Sequence, residues 1–138
     1  MDWRARVYCG SLTTSDQGRD VLLMGWVDAI RDHGNLLFIH LRDIRGIVQI
    51  VFNPDIHLES YEKAAALREE SVVEVRGKVE LRRKGTENPN LETGEVEVFS
   101  TALEILSEAK PLPFQISEKA MIFEEFLSLF YMYLELKS

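Results

Sequence analysis

The chain has 138 residues and a net charge of −7, with 46% apolar and 28% charged side chains. That length fits one domain with one core, and the composition excludes a disordered chain. The negative balance argues against non-specific nucleic-acid binding, which depends on neutralising phosphates, but it leaves room for a local basic site.

In chain order, the first ten residues carry Asp2, Arg4 and Arg6 where a secretory signal needs an apolar run. Cys9 has no second cysteine to pair with, so a reduced, cytoplasmic setting is expected. Residues 11–20 are polar and hold at most one helical turn. A first strand starts near Val21 and passes through Gly25, which suggests a bulge or sharp bend there. Apolar and polar positions also lose register between Trp26 and Ile30, as a bulge would cause.

The most informative stretch is 25–52, which reads as three strands joined by two tight turns at His33-Gly34-Asn35 and Arg45-Gly46. In the second strand, 36–43, Leu37, Ile39 and Leu41 alternate with Phe38, His40 and Arg42. In the third, 47–52, Val48, Ile50 and Phe52 share one face and Gln49 takes the other. Alternate residues of a strand face opposite sides, so one set fills a core and the other meets a partner. An aromatic and an amide on adjacent strands, both turned outward, can stack on and hydrogen-bond a nucleotide base.

Asn53-Pro54-Asp55 ends the sheet. A helix is expected over 58–70, with Leu58, Tyr61, Ala65 and Leu67 as its apolar face. In the fourth strand Val73, Val75, Gly77, Val79 and Leu81 alternate with Glu74, Arg76, Lys78, Glu80 and Arg82. A long polar loop, 84–94, leads to a fifth strand from Glu95, with Val96 and Val98 inward and Glu97 outward. A further extended piece spans 103–106. Five strands with a helix between the third and fourth is the order of the OB-fold, an all-β five-stranded Greek-key barrel. It binds oligonucleotides or sugars on its strand two–three face, flanked by the loop after strand one and the loop between strands four and five.

Pro111 and Pro113 end the barrel, giving an expected boundary between a domain over 1–110 and a linker with a C-terminal helix over 111–138. Ser117 is placed to cap that helix from Glu118 onward. Residues 126–134 are apolar nearly all round, yet too short to span a membrane, which takes roughly 20 apolar residues. Such a helix must bury itself against something, and a missing domain or a partner chain, including a second copy in a homodimer, is the expectation.

No phosphate-cradling glycine loop, metal-ligand cluster or nucleophile–base pair is visible, and His33, His40 and His57 lack the spacing of a zinc site. The basic residues cluster: Arg31, Arg42 and Arg45, then Lys78, Arg82, Arg83 and Lys84. Of these, Arg42, Lys78 and Arg82 are candidates for contact with a phosphate backbone. Taken singly, Phe38 is an ordinary barrel residue, Gln49 a surface amide, Glu97 a solvated strand residue and His33 a turn residue. Taken together they lie on one expected face.

Several short motifs occur in a fixed order: Tyr8-Cys9-Gly10, Gly25-Trp26-Val27, Arg31-Asp32-His33-Gly34, Leu41-Arg42-Asp43, Gly46-Ile47-Val48-Gln49, Asn88-Pro89-Asn90 and Thr93-Gly94-Glu95-Val96-Glu97-Val98. In this order they resemble the N-terminal anticodon-binding domain of bacterial-type aspartyl-tRNA synthetases, over about residues 4–125. The resemblance implies that Phe38 stacks on the middle anticodon base, a uracil, and that Gln49 pairs with its edge. It implies Arg31 on the third letter, cytosine, and Glu97 on the first, guanine or queuosine, with Asn88 helping from the long loop. His at position 33 and Gly at position 85 are similar to relaxed bacterial members, which also charge the asparagine tRNA and rely on an amidotransferase to convert the product. The parent reaction uses ATP and magnesium, but their binding region is not among these residues. This chain alone is therefore expected to hold no cofactor and to aminoacylate nothing.

The departures are specific. Ala29 and Ile30 stand where the family usually has basic residues, which should weaken phosphate contact but not base reading. His40 stands where an Asp is common. Residues 128–138 keep the family's hydrophobic beat but lose nearly all of its arginines. A free-standing paralogue that docks through its apolar tail, or a generic binder of single-stranded DNA, are the competing readings.

Overall fold

The structure, a computed structural model, describes residues 5–107 and 116–137. Five strands form a closed barrel in the order β1-β2-β3-β5-β4. They are β1 (Asp20–His33), β2 (Leu36–Asp43), β3 (Gly46–Phe52), β4 (Val72–Leu81) and β5 (Val96–Ser107). Only the β3–β5 pairing is parallel, as OB-fold closure requires. Inward positions of every strand, among them Leu23, Ile39, Leu41, Ile50, Phe52 and Val98, are fully buried in one core. Closure pairs each strand on both sides, leaving no open sheet edge.

Several local expectations are corrected. The bulge in β1 falls between Val27 and Ala29, within the 26–30 stretch where alternation is lost, and not at Gly25. Gly25 is there because a Cβ would lie 2.3 Å from the carbonyl oxygen of Arg42 on β2. Helix α1 (Leu58–Ala64) is shorter than expected, and its N-terminus is capped by His57 Nδ1, which accepts from the Ser60 N–H. Leu58 and Ala65 are exposed; Leu67, beyond the helix, is buried and Tyr61 packs on the core as expected, joined by Ser60 and Ala64. The Ser60 and Ser100 hydroxyls, 3.0 Å apart, tie α1 to β5. Leu81, expected inward, is exposed; it is the last residue of β4, still paired with Val96 but beyond the β1 pairing, which ends at Lys78. The extended piece at 103–106 is not a separate strand but the second half of β5, which wraps along β4 through an irregularity at Arg76/Gly77. Two 3-10 turns, Cys9–Ser11 and Thr14–Asp16, occupy the N-terminal segment.

The C-terminal helix, α2 (Ile116–Lys137), begins before Ser117, and the link at Pro111 and Pro113 lies outside the described residues. The expectation that α2 finds its cover in a missing domain or a partner chain is also corrected for one of its faces. Leu22, Met24 and Trp26 point outward from β1, and Phe123, Leu127 and Tyr131 pack on this apolar wall. The Trp26 and Phe123 rings meet edge-on with centroids 5.3 Å apart. Two polar clamps flank the contact. Arg6 Nη2 donates to both Glu124 carboxylate oxygens at 2.9 and 2.6 Å, and Tyr131 Oη donates to Glu74 Oε2 at 2.5 Å. Burial, followed by the Glu74 contact, pushes the Tyr131 phenol well above its ordinary value, so the hydroxyl stays a donor. The opposite face of α2, including Met121, Leu129, Met132 and Leu136, remains exposed.

Candidate nucleic-acid interface

Strand parity decides what the barrel shows on its outside. With Ile39 and Leu41 inward on β2, Phe38 and His40 face out; with Val48 and Ile50 inward on β3, Gln49 and Val51 face out; with Val96 and Val98 inward on β5, Glu97 and Phe99 face out. The register then sets two rows across the sheet. In one, Arg31, Phe38, Val51, Phe99 and Lys78 are successive cross-strand neighbours. In the other, Ala29, His40 and Gln49 are neighbours, and Glu97 faces Glu80. Gln49 Nε2 donates to Glu97 Oε1 at 2.9 Å, closing the second row across β3 and β5.

The first row is apolar at its centre. Val51 is only 2% exposed although it faces outward, because it sits in register between Phe38 and Phe99. Aromatic and β-branched cross-strand neighbours of this kind stabilise a sheet face. Phe38 itself is half-buried, and the His33 ring, at the end of β1, meets it edge-on at 5.7 Å. Arg31, opposite Phe38, is exposed.

The second row is polar. Burial raises the Glu97 pKa, and the Gln49 hydrogen bond and then Arg82 and Arg83 act against that rise. Burial lowers the His40 pKa; Arg82 pushes it the same way, Asp28 opposes, and Arg31 and Arg42 add to the lowering. A neutral imidazole with one donor and one acceptor therefore stands beside Gln49.

Of the three candidates for backbone contact, only Lys78 is exposed with no hydrogen bond or ion pair at its side chain among the described residues. Arg42 is paired with Asp28, its Nε 3.3 Å from Oδ1, because the β1 bulge turns Asp28 outward beside it. Arg82 is half-buried: its Nε donates to the Val96 carbonyl at 3.2 Å and its Nη1 to that of Thr86 at 3.3 Å. Its Nη2 is buried and meets no acceptor among the described residues.

The loop between β4 and β5 is held by its own polar groups. The Asn88 N–H donates to the Gly94 carbonyl at 2.9 Å, and Asn88 Oδ1 accepts from the Asn90 N–H at 2.9 Å. Thr93 Oγ1 donates to the Ile47 carbonyl at 2.6 Å, anchoring the loop to β3. Gly94 is obligatory, since a Cβ would lie 1.8 Å from the Asn88 carbonyl oxygen. Gly85, at φ +92°, lies exposed at the loop's outer end with open space around its Cα. A groove of about 560 Å³ runs beneath, lined by Arg82, Asn88, Pro89 and Glu95 among others.

One face thus collects Arg31, His33, Phe38, Gln49 and Glu97, and the groove beside it collects Arg82 and Asn88. Arg42 is committed elsewhere, and Gly85 contributes only backbone. Phe99 and Val51 were not singled out from the sequence, although Phe99 shares the parity of Glu97 two residues before it. Among the described residues no cluster of His, Cys, Asp or Glu could hold a metal ion, and no helix is long and apolar enough to cross a membrane.

Comparison with known proteins identifies relatives of the fold as a whole. The chain is 58% identical over 123 residues to an aspartate–tRNA(Asp/Asn) ligase of Syntrophus aciditrophicus, covering 88% of this chain and 17% of that protein. It is 49% identical to an aspartate–tRNA(Asp/Asn) ligase of Thermodesulfovibrio yellowstonii, covering 94% of this chain and 22% of that protein. It therefore spans about a fifth of the length of the curated relatives it matches. Among solved structures, asparaginyl-tRNA synthetase from Pyrococcus horikoshii superposes with a TM-score of 0.65 at 32% identity, over 83% of this chain and 25% of that one. The tRNA anticodon family profile, described as an OB-fold nucleic acid binding domain, matches residues 21–106, from β1 into β5. The chain belongs to this tRNA anticodon family of OB-fold nucleic acid binding domains, and it is homologous over most of its length to aspartate–tRNA ligases.

Proposed function

We propose that the chain reads the anticodon loop of the aspartate tRNA, and of the asparagine tRNA as well, as the anticodon-binding domain (1–110, with 111–138 leading onward) of an aspartyl-tRNA synthetase. The observation that carries this reading is the outer row on β2, β3 and β5: an accessible aromatic, Phe38, beside an amide–carboxylate pair, Gln49 and Glu97. Unstacked loop bases are recognised by stacking on such rings and by hydrogen bonds to their edges. Phe38 stacks on the middle uracil and Gln49 meets its edge. Arg31, opposite Phe38, reaches the third letter, where its donors suit the acceptors of cytosine. Glu97 accepts from the first letter, a guanine, with Asn88 beside it in the loop.

The relaxed part of the reading rests on His33, whose ring packs against Phe38, and on the Asp/Asn names carried by the relatives above. It entails a downstream amidotransferase for the asparagine product. Aspartate ligation with ATP and magnesium belongs to the rest of the parent enzyme, in the cytoplasm.

Titration of labelled aspartate-type and asparagine-type anticodon stem-loops at one fixed salt concentration tests this. The two loops differ in the third letter, and the expected result is binding to both with affinities within about threefold, well under the roughly 1–3 kcal/mol of a read base. A clear preference for the aspartate loop would remove the relaxed reading and keep the anticodon one. Binding to neither loop, or equal competition by unrelated single-stranded DNA, would overturn both.

A further inference from the structure

The bond between Gln49 and Glu97 constrains more than the sheet surface. An amide has one donating and one accepting end of nearly equal shape, so an unconstrained Gln49 would suit bases of either hydrogen-bond polarity. An ionised carboxylate only accepts. Burial raises the Glu97 pKa, while the Gln49 hydrogen bond and then Arg82 and Arg83 favour the charged form; in that form Glu97 admits only the Gln49 nitrogen, which lies at 2.9 Å. The reversed amide would set two acceptors against each other in a half-buried site, leaving both unsatisfied. The Gln49 oxygen is thus turned away from Glu97, and among the described residues no protein donor meets it. What that oxygen demands of a ligand is a donor. A uracil edge offers its N3–H; a cytosine edge offers an acceptor at the same place.

We infer that Glu97 is a positioning residue for Gln49: by holding the amide in one orientation it makes the middle-letter site accept uracil and refuse cytosine. This rests on the anticodon reading above. Glu97 has two oxygens, so Oε1 can hold Gln49 while Oε2 faces the first letter. Recognition of two adjacent letters then passes through one carboxylate.

The test uses stem-loops with uracil or cytosine in the middle position, each with an abasic first nucleotide, so that Glu97 has no base of its own to read. In the wild-type chain the uracil-over-cytosine preference persists on these loops. In Glu97→Gln, whose neutral amide accommodates either orientation of Gln49, the preference falls by about tenfold, the scale of one well-made base contact. In a Gln49→Ala background, Glu97→Gln has no further effect on the preference, as expected of a residue acting through another. Glu97 is half-exposed and the replacement is isosteric, so a thermal melt matching the wild type accompanies the result. A wild-type preference retained in Glu97→Gln overturns the inference and leaves the anticodon reading standing. Absence of any uracil preference in the wild type, on abasic and intact loops alike, overturns both.

Discussion

Replacing Phe38 by alanine lowers affinity for an aspartate-type anticodon stem-loop by about tenfold to a hundredfold, while the melting temperature changes by only a few degrees. The loss follows from the roughly 1–3 kcal/mol that stacking on one aromatic side chain contributes per base. Stability is spared because Phe38 lies outside the core, which is filled from the other face of β2 by Ile39 and Leu41. What Phe38 does contribute to the fold is local: it flanks Val51 and takes the edge of His33. Phe38→Trp should retain most of the affinity, since a larger ring stacks at least as well. Fluorescence anisotropy beside calorimetry separates the possibilities. Unchanged affinity in Phe38→Ala would mean that this face does not hold the base.

The largest effect on stability is expected from Asp43→Ala, a loss of about 2–5 kcal/mol. Asp43, at the end of β2, is 4% exposed. Its Oδ2 accepts from the Cys9 N–H at 2.6 Å and its Oδ1 from the Arg45 N–H at 2.8 Å. One carboxylate therefore joins the N-terminal 3-10 turn to the β2–β3 turn. Burial pushes its pKa up, and the hydrogen bonds from Cys9, Arg45 and Gly46 pull it back. The same junction is close-packed in its backbone: a Cβ on Gly10 would lie 2.1 Å from the Arg45 carbonyl oxygen. Alanine at 43 leaves the buried Cys9 N–H and the part-buried Arg45 N–H without their acceptor, at about 1–3 kcal/mol each with the larger share at Cys9. For a chain of this size the melting temperature should fall by roughly 10–20 °C. Asp43→Asn, which keeps one accepting oxygen, should fall between. A melt of Asp43→Ala within a few degrees of the wild type would show that water replaces these bonds at no cost.

Much of the barrel was legible because alternation in a strand leaves little freedom. The inward set Leu37, Ile39 and Leu41 required Phe38 and His40 to face outward, and the strand order placed Gln49 and Glu97 near them. What was not legible depended on register and on contacts distant in sequence. The β1 bulge itself was signalled by the lost alternation between Trp26 and Ile30, but the pairing of Asp28 with Arg42 beside it was not. The folding of Arg82 back onto Val96 and Thr86 has no signal in its own strand pattern. The docking of α2 did have one. Residues 21–27 are apolar at both parities, the mark of a strand covered on both faces, and Met24 and Trp26 are the outer half of that mark. Helix α1 was overextended because alanines favour helix without specifying where it stops. Its end is set by packing of Ala64 and Leu67 beneath the barrel.

The most direct test of the account is a map of backbone amide chemical-shift changes in the labelled chain as an aspartate-type anticodon stem-loop is added. The largest changes are expected at Arg31, His33, Phe38, Gln49, Glu97 and Phe99 and in the loop around Asn88, with α2 unaffected. Changes confined to the exposed face of α2 and the β1–β4 wall, with the β2–β3–β5 face silent, would contradict it.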